Sequence, residues 1–238
     1  MNTILLIIVI IIVIWITYKS FSKNSTLSNN NNGKSQLIIS DKDLDTSNLN
    51  SSNFTYSIWI YIDDWSYRYG QEKIILQRVD AQNNICPKIS LGAFQNNLDV
   101  AINTYPNSTD SSINVSSTAT QTHNCQVKNI PIQSWVHVLI SVNGRTLDIY
   151  IDGKLVRTCV MPGVVKVPDI SNVLITPNGG FSGSTSTIKY LANSTNPQDA
   201  WNMYKDGYSM GFMGQLFDKY KIKLSYLKDN KEQASIQI

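Results

Sequence analysis

Two hydrophobic patterns divide the chain. Residues 4–16 are apolar without a break, with Trp15 near the end of the run and Lys19 closing it. From residue 36 onward, apolar residues instead come in short stretches between clusters of Gly, Pro, Asn and Asp. Short, β-branched stretches punctuated in this way predict strands. We expect ten, at residues 36–40, 54–62, 73–78, 88–93, 98–105, 134–142, 146–151, 154–160, 173–176 and 184–191. No long helical periodicity interrupts them. Residues 196–204 read as a short helix, with Asn196 as its cap, Pro197 in its first turn and Gly207 ending it. Residues 210–228 are amphipathic but ambiguous between strand and helix, and 229–238 read as a tail.

The sharpest local signal runs from Trp135 to Val160. Asn143-Gly144 and Asp152-Gly153 are both type I′ hairpin dipeptides. They predict a three-strand meander in which Val142 pairs with Arg145 and Ile151 with Lys154. Counting outward puts Val138, Ile149 and Val156 in one core-facing row, with Ile140 and Leu147 on the same face. The opposite face carries Leu139, Asp148 and Arg157, the last two as a cross-strand charge pair. His137, Tyr150 and Leu155 form the next row, so His137 reads as a strand-face residue rather than a catalyst.

The fold expected is therefore all-β, an antiparallel β-sandwich with an N-terminal transmembrane helix. Residues 1–20 are read as the anchor, 21–35 as a polar Asn/Ser-rich tether, 36–207 as the sandwich and 208–238 as a C-terminal extension. Residues 3–18 would span about 24 Å as a helix, close to a bilayer core. Nothing basic precedes the run and no small-residue cleavage site follows, so an uncleaved anchor fits better than a signal peptide. Lys19, Lys23 and Lys34 all follow the segment, which places the domain on the cytoplasmic side.

Composition narrows the chemistry. Of the 17 acidic residues only two are Glu, Glu72 and Glu232. There are two histidines, His123 and His137, which excludes a His-rich metal site. A net charge of +3 gives no basic field for nucleic acid. Cys86, Cys125 and Cys159 are an odd number. Cys125 and Cys159 form a possible disulfide, which would suit an oxidising side; the cytoplasmic placement favours three reduced thiols. Six Asn-x-Ser/Thr sequons, among them Asn53 and Asn193, are little more than so Asn-rich a chain gives by chance.

Four pieces of the sequence, in order, resemble the laminin-G-like, concanavalin A-like lectin/glucanase sandwich. They are FTYSIWIYI (54–62), SWVHVLISVNGRTLDIYIDGKLV (134–156), GGFSGSTSTIKYL (179–191) and NPQDAWNMYKDG (196–207). Sandwich plus apolar anchor also resembles proteins of large double-stranded DNA viruses, with LVRTCVMPGVV (155–165) and the 177–183 run PNGGFSG as recurrent features. The resemblance implies a jelly-roll architecture and three possible roles. Hydrolases of this fold use clustered carboxylates, E-x-D-x-E or E-x-D-x-x-E, and no such motif occurs here. Asp63 and Asp64 are adjacent and would point to opposite faces of a strand. We therefore expect no enzyme. Glycan binding has one candidate surface, the loop Asp63-Asp64-Trp65-Ser66-Tyr67-Arg68-Tyr69-Gly70, although a loop folded over the sandwich edge with Trp65 as a core plug is the favoured reading of it. Calcium sites occur in many such domains, but Asp99, Asp110 and Asp169 are isolated and no cofactor is expected. The leading expectation is a non-catalytic structural module of a virion, a minor capsid or inner-membrane-associated protein. Its partners would be the lipid membrane, through residues 3–18, and neighbouring subunits of a viral shell. A lectin-like membrane protein is the alternative.

Overall fold

The computed structural model describes residues 26–28, 30–44, 52–106, 120–168 and 171–208, and the strands at 223–228 and 231–237. The proposed anchor at 3–18 lies outside the described residues, among which no helix is long and apolar enough to cross a membrane. Two antiparallel sheets face each other. In chain order the strands are β1 (Thr26–Ser28), β2 (Asn31–Asn32), β3 (Leu37–Ile39), β4 (Phe54–Asp64), β5 (Lys73–Val79), β6 (Ile85–Leu91), β7 (Leu98–Thr104), β8 (Gln121–Val127), β9 (Trp135–Asn143), β10 (Thr146–Ile151), β11 (Lys154–Val160), β12 (Val173–Ile175) and β13 (Ser182–Leu191). One sheet has the order β1-β13-β4-β9-β10-β11, with β2 also on β13; the other is β3-β12-β5-β6-β7-β8. One helix, α1 (Pro197–Lys205), follows, and β14 (Lys223–Lys228) and β15 (Lys231–Gln237) form a separate hairpin. The final segment read as a tail is thus a strand.

Strand β4 shows why the sheets stack. Alternate residues Phe54, Tyr56, Ile58, Ile60 and Ile62 enter the core between the sheets. Val136, Val138, Ile140 and Val142 of β9 and Leu147 and Ile149 of β10 join them. The other face of these strands is not left to solvent. There, Leu139 and Tyr150 form a second cluster with Ala200 of α1, and Met203 packs against it. Asn196 caps α1 by accepting from the Asp199 N–H at 2.9 Å, as its sequence predicts.

Three expectations are corrected. Thr26–Ser28 and Asn31–Asn32 fall inside the predicted tether, yet they pair with β13, and Leu27 packs on the core. Strand β8 is absent from the ten predicted stretches. Its sequence, QTHNCQV, is polar because it is a sheet edge and largely exposed. The meander register also differs. Asn143 pairs with Thr146, so Gly144 and Arg145 make the first loop, and every β9–β10 partner moves by two residues. A two-residue shift leaves each side chain on its expected face, so Val138 meets Ile151 and Tyr150 meets Leu139.

The second hairpin pairs Ile151 with Lys154 as predicted, but a bulge then intervenes. Tyr150 faces Leu155, whereas Ile149 faces Arg157, which leaves Val156 as the extra residue. The predicted Asp148–Arg157 pair is therefore replaced by Asp148 opposite Thr158, whose hydroxyl donates to the carboxylate at 2.5 Å. The bulge has a larger consequence. It brings Cys159 opposite the buried Leu147, on the core face, where it is bonded to Cys125 of β8 with a Cα–Cα separation of 6.2 Å. One disulfide and one buried thiol, Cys86, replace the expectation of three reduced thiols. The bridge ties the edge strand of one sheet to the edge strand of the other.

Candidate functional site

The candidate loop closes one end of the sandwich, between β4 and β5. A turn after β12 anchors it. Thr176, Asn178, Gly179 and Gly180 all have positive φ, and this kinked run presents consecutive carbonyls to the loop. Arg68 donates through Nη1 to the Asn178 carbonyl and, at 3.4 Å, to that of Gly180. The Tyr67 hydroxyl donates to the Gly179 carbonyl at 3.1 Å. A Cβ on Gly180 would lie 2.2 Å from the Gly33 carbonyl oxygen, so the turn admits no side chain there. Within the loop, Arg68 Nε donates to Gln71 at 3.0 Å.

The five candidate residues therefore do different things. Asp64 is exposed and accepts from the Ser66 N–H and hydroxyl, both at 2.8 Å. The Ser66 bonds, with Lys34 nearby, hold its carboxyl below the usual range. Trp65 is partly buried and packs against the core. Tyr67 is half-buried beneath Lys34, whose ammonium sits 4.8 Å from the ring centroid. Arg68 is a clamp on its own chain. Of the loop's three aromatics Tyr69 alone is open: it is 63% exposed and meets Phe94, 65% exposed, edge-on at 5.7 Å. Phe94 lies in the β6–β7 loop, and the Gly70 N–H donating to the Ala93 carbonyl at 3.0 Å holds the two loops together.

Phe94 is a residue the sequence reading missed. Its signal is a lone large aromatic inside the turn cluster Gly92-Ala93-Phe94-Gln95-Asn96-Asn97. Lys73 is the other omission. It begins β5, is 1% exposed, and places its ammonium 4.5 Å from the Trp65 ring centroid. Among the described residues, neither Lys73 Nζ nor the buried Trp65 Nε1 has a hydrogen-bond partner. Burial, and secondarily the charge of Arg68, lower the pKa of this ammonium.

Carboxylates are engaged elsewhere. Glu72 binds the Lys88 ammonium at 2.9 Å and accepts from the Ser90 hydroxyl at 2.6 Å. Partial burial pushes its pKa up, but these two partners outweigh it and the net shift is downward. Asp99 accepts from Gln126 at 2.7 Å, while Asp110 and Asp169 lie outside the described residues. Among the described residues no three His, Cys, Asp or Glu side chains gather as metal ligands would. His137 is fully buried on the helix-covered face, opposite Trp59. Its Nε2 lies 2.8 Å from the Ser57 hydroxyl, and its ring packs 5.0 Å from Trp59 and 6.1 Å from Tyr204. Burial, with the charge of Lys189 adding to it, drives its pKa down to about 3, so it is neutral at ordinary pH. It is a strand-face residue, but its row neighbour is Trp59, not Tyr150.

Solved structures similar to this chain include receptor- and ligand-binding domains. The receptor-binding domain of botulinum neurotoxin D aligns with 76% of this chain at a TM-score of 0.55 and 16% identity. That of the C/D mosaic serotype aligns with 76% at 0.54 and 16%. The serotype D ligand-binding domain in complex with N-acetylneuraminic acid aligns with 76% at 0.53 and 14%. The alignments cover 45%, 43% and 43% of those chains, so this chain spans less than half their length, and at such identity the likeness is one of fold. No curated protein matches the sequence. The sequence profile of the concanavalin A-like lectin/glucanases superfamily matches residues 31–188, two thirds of the chain, from β2 into β13. The chain belongs to the concanavalin A-like lectin/glucanases superfamily.

Proposed function

We propose that this chain is a non-catalytic binding module, held at a membrane by residues 3–18, that engages a saccharide through the loop end of the sandwich. The observation that carries this reading is the Tyr69–Phe94 pair, two large aromatics about two thirds exposed at the tip of adjoining loops. Monomeric proteins rarely leave such rings in solvent side by side without a use. Aromatic faces with amides nearby suit the C–H faces and hydroxyls of a sugar, and Gln71 and Gln95 stand in the same two loops, both exposed. The related folds, receptor-binding and N-acetylneuraminic-acid-bound domains, agree with a binding role. Catalysis fits less well, because glycoside hydrolysis needs two facing carboxylates and the chain has no Glu cluster.

The test is retention of the labelled full chain on an array of neutral and acidic glycans, with hydrolysis of the same glycans monitored. The proposal expects binding without turnover, lost in the Tyr69→Ala/Phe94→Ala variant. Turnover abolished by Asp63→Asn/Asp64→Asn would overturn it.

A second reading, assembly with neighbouring subunits of a viral shell, is favoured by a different region. Edge strand β11 is exposed almost throughout, and Val160 at its end is 70% exposed. An open edge can accept a strand from another protein. Co-purification with membrane-bounded particles, lost on Val160→Lys, supports this reading; a protein recovered only outside particles defeats it.

A further inference from the structure

The loop end has a floor as well as a rim. Beneath Trp65 lies an ammonium that no carboxylate neutralises among the described residues. Its sequence neighbour Glu72 turns to Lys88 and Ser90, and Asp64 is engaged by Ser66. The Trp65 ring offsets part of the unfavourable burial through its π face. It does not supply an acceptor, and its own Nε1 is a second enclosed donor without one. Two orphaned donors on touching side chains, with the Arg68 guanidinium adding positive field, are complementary to one kind of group. That group has several acceptor oxygens and a negative charge.

We infer that Lys73 Nζ and Trp65 Nε1 form an oxyanion subsite that receives a carboxylate, sulfate or phosphate group of the ligand. This rests on the reading of the loop end as the binding surface, and it specifies an acidic rather than a neutral ligand. The ligand's ring stacks at Tyr69 and Phe94, while its charged group is held below. Trp65 is only partly buried, so the subsite lies at the outer edge of the core. The loop is fastened by Tyr67 and Arg68, which lie between these two donors in the chain, and this holds the indole beside Lys73.

The experiment is isothermal titration of the full chain in detergent, at constant ionic strength in chloride, with inorganic sulfate, inorganic phosphate, D-glucuronate and D-glucose. An oxyanion subsite binds at least one of the three anions and binds glucose at least about tenfold more weakly. Binding of sulfate or phosphate alone assigns a free inorganic anion, and binding of glucuronate alone assigns an acidic saccharide. Lys73→Met weakens that binding at least about tenfold while melting no lower than the wild type, since it removes an unpaired buried charge. Trp65→Phe keeps the ring, removes the N–H and weakens binding a few-fold, which provides a second variant should Lys73→Met not fold. No anion bound above the chloride background, or binding unchanged in both variants, overturns the subsite. If glycan retention on the array persists and still depends on Tyr69 and Phe94, that failure belongs to the subsite and not to the binding module.

Discussion

The molecule holds two aromatic clusters, and they behave in opposite ways. On the helix-covered face, Trp59 stacks with Tyr204 at 5.6 Å and meets Tyr208 at 5.8 Å, while Trp135 stacks on Tyr208 at 4.6 Å. Its rings contact one another and fasten the segment after α1 to the sheet. At the loop end, Trp65 and Tyr67 are fixed against the core and the 177–180 turn, but Tyr69 and Phe94 face outward. Aromatic content therefore does not mark a site. What separates the clusters is exposure, since among the described residues both hold buried nitrogens without a hydrogen-bond partner, His137 Nδ1 in one and Lys73 Nζ and Trp65 Nε1 in the other.

The comparison is broken most easily by truncation. Trp59→Ala, at a position 5% exposed, should cost about 3–5 kcal/mol in urea unfolding. Tyr69→Ala, by contrast, should stay within about 0.5 kcal/mol of wild type. Similar losses at both positions would erase the distinction. Next in size is the bridge between the two edge strands. Cys125→Ser should lower stability by about 2–4 kcal/mol, and reductant should do the same to the wild type but not to the variant.

A pH titration tests the enclosed cluster through His137. Its folded pKa, about 3, lies below the unfolded value near 6.5, so the unfolded chain takes up the proton first. Stability is thus complete above pH 6.5 and falls as pH drops toward 3, by up to about 1.4 kcal/mol per unit. Unfolding measured between pH 7 and 5 should show this slope in the wild type and a flatter one in His137→Gln. A slope that survives the substitution would place the titration elsewhere. The smallest stability change belongs to Tyr69→Ala/Phe94→Ala, where the effect should fall on binding.

Much of the fold is legible in the pattern of residues. Alternation in FTYSIWIYI gives strand β4 and its core face, and the two Gly-containing turns give the meander. Strand β8 and the short strands at residues 26–32 are hidden because edge strands need no apolar alternation. The β11 bulge is hidden because it depends on packing, and it decides whether Cys159 faces the core. The site was half visible. The loop is legible in its aromatics, yet no local signal distinguishes Arg68 as a clamp from Arg68 as a ligand contact; that depends on a turn 110 residues away. Phe94 and Lys73 join the loop only through tertiary structure.

The most direct measurement compares retention on the glycan array for the wild type, Tyr69→Ala/Phe94→Ala and a helix-face variant, Trp201→Ala. Binding by the wild type and the helix-face variant, at least about tenfold weaker in the loop-end variant with its melting temperature intact, is the predicted result. No glycan retained by the wild type, or retention lost only with Trp201, would contradict the assignment of the loop end as the binding surface.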